Sequence, residues 1–89
     1  MAYMIYQLDD LDKVVDQREI GQHVSYIESL GALVRTGGPL LDETTGEPKG
    51  RVILIDFDTR AEAEAFVFND PFFKLGRIKT VTMERMSIL

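Results

Sequence analysis

The one histidine of this 89-residue sequence, His23, is the residue type best suited to taking and returning protons near neutral pH. Asp70, within Asn69-Asp70-Pro71-Phe72-Phe73, offers a carboxylate that can orient an imidazole and raise its basicity. Asp-Pro is also a common helix-ending turn, and spacing alone does not bring the two residues together. Gly37-Gly38-Pro39 can act as a strand exit, or can let a ligand approach the backbone where no side chain intervenes. It lacks the G-x-G-x-x-G or G-K-[ST] context of a phosphate loop. Ser25 and Ser29 follow His23 without an elbow motif, and one histidine among scattered carboxylates matches no metal-ligand spacing.

On a helical wheel with Ile20 at the origin, Val24 and Ile27 fall within about 40° and His23 about 60° away on the same side. His23 therefore sits at the edge of an apolar stripe, between Ile27 and Leu30. From spacing alone a packed structural histidine competes with a base whose free nitrogen faces a cleft. Tyr26 is expected to pack at the sheet, and Phe66, Phe68, Phe72 and Phe73 to serve as core or dimer contacts.

These residues need a scaffold, and the composition bounds it. A chain of this length makes one domain, residues 1–89. A hydrophobic fraction of 45% with 28% charged residues fits a folded globular protein. The absence of cysteine rules out disulfides, thiolate chemistry and cysteine metal sites. Fifteen acidic against ten basic residues give a net charge of −5, and no Lys/Arg cluster offers a nucleic-acid surface. The N-terminus has no basic lead or long apolar run, and no segment approaches the roughly 20 apolar residues of a membrane span. A cytoplasmic protein is expected, with no cofactor.

Ala2–Leu8 is rich in β-formers and ends at Asp9-Asp10, so it reads as a strand. Asp16 with Glu19 forms a capping box for a helix that carries the Ile20 stripe and stops at Gly31. Leu33–Leu41 reads as a strand, Asp42–Gly50 as a polar loop, and Arg51–Phe57 as the clearest strand. Thr59 and Glu62 cap a second helix that runs to Phe68 and is closed by Pro71. An irregular Phe72–Gly76 stretch then leads to a strand from Ile78 to about Ile88. Its alternation slips between Met83 and Met86, which predicts a bulge or bend. The order βαββαβ is the ferredoxin-like α+β sandwich.

A sheet covered on one side should alternate apolar with polar residues. Here Val52 and Leu54 oppose Ile53, Ile55 and Phe57, and Tyr3 and Ile5 oppose Met4 and Tyr6, so both faces are apolar. At roughly 25 cal/mol per Å² of buried apolar surface, covering the second face with another copy is the economical arrangement, and a homodimer is expected.

Together, His23 in the first helix, Gly31, Thr36-Gly37-Gly38-Pro39-Leu40, the apolar third strand, and Glu62, Ala63, Ala65 and Phe66 leading to Asn69-Asp70-Pro71-Phe72 resemble the YCII-related domain family. The resemblance implies a ferredoxin-like fold paired as a dimeric α+β barrel, similar in architecture to muconolactone isomerase. It also implies a His/Asp pair in a cleft, which maps to His23 and Asp70. Many members carry arginine three residues before the histidine. This chain has Ile20 there, and Arg18 is the nearest substitute. The expectation is an acid–base enzyme, a lyase, dehydrochlorinase or isomerase, acting on a small cyclic or aromatic-derived metabolite. Gly37, Gly38, Pro39 and Arg18 would border the ligand. The alternative is a non-catalytic ligand-binding or structural dimeric module.

Overall fold

A computed structural model describes residues 1–88. Strand β1 (Ala2–Asp9) is followed by helix α1 (Gln17–Glu28), a 3-10 turn (Gly31–Leu33), β2 (Val34–Leu41) and β3 (Pro48–Ile55). Helix α2 (Arg60–Asn69), one-turn helix α3 (Pro71–Lys74) and β4 (Ile78–Met86) complete the chain. The four strands form one sheet in the order β2-β3-β1-β4, with every neighbouring pair antiparallel. This is the expected ferredoxin-like α+β sandwich.

Both long helices begin as the sequence requires. Asp16 accepts a hydrogen bond from the Glu19 backbone N–H at 2.8 Å, and Glu19 reaches back to the Asp16 N–H at 3.2 Å. Thr59 and Glu62 repeat the reciprocal pair at the start of α2. Each box satisfies two backbone donors that the first helical turn leaves without partners.

The core lies between the helices and one face of the sheet. Tyr3 and Ile5 of β1 and Ile53 and Ile55 of β3 pack there with Ala63, Phe66 and Val67 of α2. On the opposite face Met4, Tyr6, Leu8, Val52 and Leu54 are only half-buried. The two-sided apolar pattern therefore has one covered side within a single chain.

Several boundaries differ from the sequence expectation. Strand β3 begins at Pro48, not Arg51, because Leu41 pairs with Pro48 after a register shift; proline is tolerated at the first residue of a strand. It ends at Ile55, with Phe57 buried in the core beyond it. The expected slip in the last strand is absent: pairing runs unbroken from Ala2↔Met86 to Leu8↔Thr80. The irregularity falls instead between Leu8 and Asp9. The stretch after Pro71 is helical, because Asp70 and Pro71 start a helix as well as end one. Asp70 is extended (φ −63°, ψ 130°), its side chain accepts from the Phe72 N–H, and proline occupies the first helical position.

Candidate functional site: a histidine–aspartate pair beside a buried arginine

Helix α1 does not sit on the sheet as its stripe predicts. Ile20 and Val24 are 38% and 44% exposed, whereas His23 is 8% exposed and is the buried residue of the helix. The helix is turned so that Tyr26 and Ile27 touch the core while Ile20, Val24 and Ile27 line a cleft of about 700 Å³. Gly37, Gly38 and Pro39 of β2 line the same cleft. The register places Gly37 beside Ile53 and Pro39 beside Arg51. Gly37 has no room for a side chain, since a Cβ there would lie 2.5 Å from the Val52 carbonyl oxygen.

His23, which lines this cleft, meets Asp70 behind it. Its Nδ1 lies 2.8 Å from Asp70 Oδ1, and Asp70 is fully buried. The same Oδ1 accepts the Phe72 backbone N–H at 2.9 Å. A carboxylate can only accept, so Nδ1 of a neutral imidazole donates to it and Nε2 keeps the lone pair. Asp70 thus has two local duties, capping α3 and fixing the histidine ring. Phe72 supports the same arrangement: its ring stacks on His23 with centroids 4.1 Å apart and planes 6° from parallel. The tautomer, the ring plane and the position are all constrained by neighbours that themselves sit on short, capped elements.

Tyr26, one turn further along α1, donates its hydroxyl to the Phe66 carbonyl at 2.7 Å. Burial, and then the nearby Asp70 charge, hold its phenol above the ordinary value of 10.0.

A second polar group adjoins the pair. Arg51, 8% exposed, donates through Nη1 to Gln7 at 2.8 Å and through Nη2 to both oxygens of Asp9 at 2.6 Å. Its guanidinium lies 5.3 Å from the Phe72 ring centroid, within cation–π range. Arg77 pairs in the same way with Glu19, its Nη2 lying 3.1 Å from each carboxylate oxygen. Arg51, Arg77 and Phe72 all line the cleft.

The structure therefore brings His23, Gly37, Gly38 and Pro39 to one cleft, with Asp70 behind the histidine. It does not bring Arg18 there. Arg18 lines a separate surface depression with Gly21, Gln22 and Lys74, because it lies on the other side of α1 from Ile20. Sequence reasoning missed the cationic residues that do line the cleft, of which Arg51 is the one beside Phe72. Its signal was strand parity: counting back by twos from Ile55 and Ile53, Arg51 falls on the core-facing side of β3. Gln7 and Asp9 continue the core-facing parity of Tyr3 and Ile5 in the same way. Among the described residues there is no cluster of three or more His, Cys, Asp or Glu fit to hold a metal ion. No helix among them is long and apolar enough to cross a membrane.

The YCII-related domain model matches residues 1–87. Among solved structures, the chain is similar to 5-chloro-2-hydroxyhydroquinone dehydrochlorinase (TftG) from Burkholderia phenoliruptrix AC1100, determined in complex with 2,5-dihydroxybenzoquinone. The two are 31% identical with a TM-score of 0.84, and the match covers 98% of this chain and 94% of that one. No curated protein is significantly similar in sequence.

Proposed function

The chain belongs to the YCII-related domain family, and from that premise we propose that it is an acid–base enzyme acting on a small cyclic or aromatic-derived metabolite. His23 is the base and acid in this reading, and Asp70 positions it. The observation that carries the proposal is the 2.8 Å contact between His23 Nδ1 and a fully buried Asp70 at the edge of a ligand-sized cleft. With Nδ1 committed to the carboxylate, Nε2 is the nitrogen that takes a proton from the substrate. The carboxylate then balances the charge of the imidazolium that forms. In an elimination, the proton goes to Nε2 and the leaving group departs with the electrons of its bond to carbon. In an isomerisation, the same nitrogen returns the proton at another atom. Both need one well-placed base, and the similarity to a dehydrochlorinase favours the elimination.

The backbone of Gly37 and Gly38 borders the ligand, and the apolar wall of Ile20, Val24 and Ile27 covers the flat of a ring. The working unit is a homodimer joined through the open sheet face, where Met4, Tyr6, Leu8, Val52 and Leu54 require a cover. The expected compartment is the cytoplasm.

The test is chloride release from 5-chloro-2-hydroxyhydroquinone under anaerobic conditions, together with proton exchange on related hydroxylated rings. His23→Gln is expected to lower turnover by about a hundredfold or more while sedimenting as wild type does. Equal turnover by His23→Gln would rule out this mechanism. A second reading, a non-catalytic binding module, draws on the structural duties of the same residues: Asp70 caps α3 and His23 packs on Phe72. It predicts ligand-induced shifts of the His23 ring with no turnover of any ring offered.

A further inference from the structure

The charges lining the cleft point to the kind of ring it accepts, an inference that rests on the reading of the cleft as a ring-binding site. Its cationic residues are Lys13, Arg51 and Arg77, set against the carboxylates of Asp9, Asp10, Glu28 and Glu47. The two arginines, largely buried, are already paired with carboxylates. Arg51 has both Asp9 oxygens at 2.6 Å and Arg77 both Glu19 oxygens at 3.1 Å, and all four side chains are at least four-fifths buried. Lys13 is exposed on the β1–α1 loop, where water screens it. Position 20, on the wall beside His23, carries isoleucine. Behind His23, the Asp70 carboxylate adds a further negative charge.

An anion entering this cleft would leave water and meet, among the described residues lining it, no largely buried cation without a carboxylate already on it. Such a transfer is unfavourable unless an opposite charge is supplied. An uncharged ring meets an apolar wall on α1 and keeps its hydroxyl protons available to His23. We infer that the cleft selects uncharged, planar hydroxylated rings and discriminates against the same ring bearing a carboxylate. Ile20 and the Arg51–Asp9 pair are the specificity determinants.

The two probes are 2,5-dihydroxybenzamide and 2,5-dihydroxybenzoate, nearly equal in shape and different in charge, titrated into the full chain and followed by NMR at Gly37, Gly38 and the His23 ring. The wild type is expected to bind the amide about tenfold more tightly than the carboxylate. Ile20→Arg places a new cation at a part-exposed position that tolerates it, and Asp9→Asn frees the charge of Arg51. Each is expected to bring the two affinities to within about threefold by strengthening carboxylate binding. Carboxylate binding in the wild type that equals or exceeds amide binding would overturn the inference. So would a carboxylate affinity that neither variant changes. If neither probe moves any of these signals in the folded protein, the ring-binding reading itself fails, and the charge preference falls with it.

Discussion

The covered face of the sheet has two ends of opposite character. At one end Tyr3 and Ile5 on β1 and Ile53 and Ile55 on β3 meet Ala63, Phe66 and Val67 in an apolar cluster. At the other, the same strand faces continue into Gln7, Asp9 and Arg51; Gln7 and Asp9 both accept from Arg51, whose guanidinium lies near Phe72, the ring that stacks on His23. The change occurs within one step of the pleat. Apolar burial is non-directional, so the first end fixes the fold while leaving positions approximate. Buried hydrogen bonds are directional and costly to leave unmade, so the second end fixes the orientation of particular groups. One end holds the molecule together, and the other holds a histidine in one tautomer beside a cleft.

Truncation should separate the two ends. Ile55→Ala, at a fully buried position, is expected to cost about 4 kcal/mol in denaturant unfolding while leaving the His23 ring signals in place. If those signals move as much as they do in a cleft variant, the two ends are not separable. Asp70→Ala is expected to cost about 3 kcal/mol, through loss of the α3 cap and an imidazole donor left without its acceptor. Unlike the core variant, it should also abolish any turnover. A stability loss with full activity would leave Asp70 as a cap alone.

The arginine cluster gives a smaller contrast. Arg51→Met is expected to cost about 2 kcal/mol, because Asp9 and Gln7 lose the donor that satisfies them. Adding Asp9→Asn and Gln7→Leu to it should recover stability to within about 1 kcal/mol of the native chain. Recovery alongside altered ligand selectivity would mark the cluster as built for recognition. Failure to recover would mark it as part of the packing.

The smallest effect lies at the boundary between the ends, at Tyr26. Burial and the Asp70 charge raise its phenol, so the folded state keeps this proton where the unfolded chain gives it up. This contribution is present in full below pH 10.0, the ordinary value, and is lost as pH rises through the folded-state value. Tyr26→Phe should flatten that alkaline loss of stability, measured as thermal midpoint against pH. An unchanged slope would contradict the assignment.

Much of this arrangement was legible in the residues. Both capping boxes, the four strands and the βαββαβ order follow from local chemistry that tertiary contacts do not override. His23, Asp70 and the Gly37-Gly38-Pro39 turn stood out by residue type, although no local signal showed that a residue on α1 meets one at the start of α3. That meeting depends on the crossing of α1 over the sheet, a long-range property. The same crossing explains why the Ile20 and Val24 stripe, expected to be core, lines a cleft, and why Arg18 faces away from it. Strand β3 ran further toward Pro48 than its apolar run suggests, because pairing with β2 extends the strand where composition reads as loop. Arg51 was within reach by parity but hidden by its type, since arginine at the end of an apolar run reads as a strand boundary. Asp70-Pro71 carried two meanings, helix stop and helix start, and the structure uses both.

In the proposed mechanism Asp70 holds His23 as the Nδ1–H tautomer and leaves Nε2 as the base. Long-range proton–nitrogen NMR of the imidazole reads this directly under conditions in which the ring is neutral. A protonated Nδ1 and a lone-pair nitrogen shift at Nε2 are expected, with that Nε2 signal displaced on adding 2,5-dihydroxybenzamide. A ring protonated at Nε2, or one indifferent to Asp70→Ala, would contradict it.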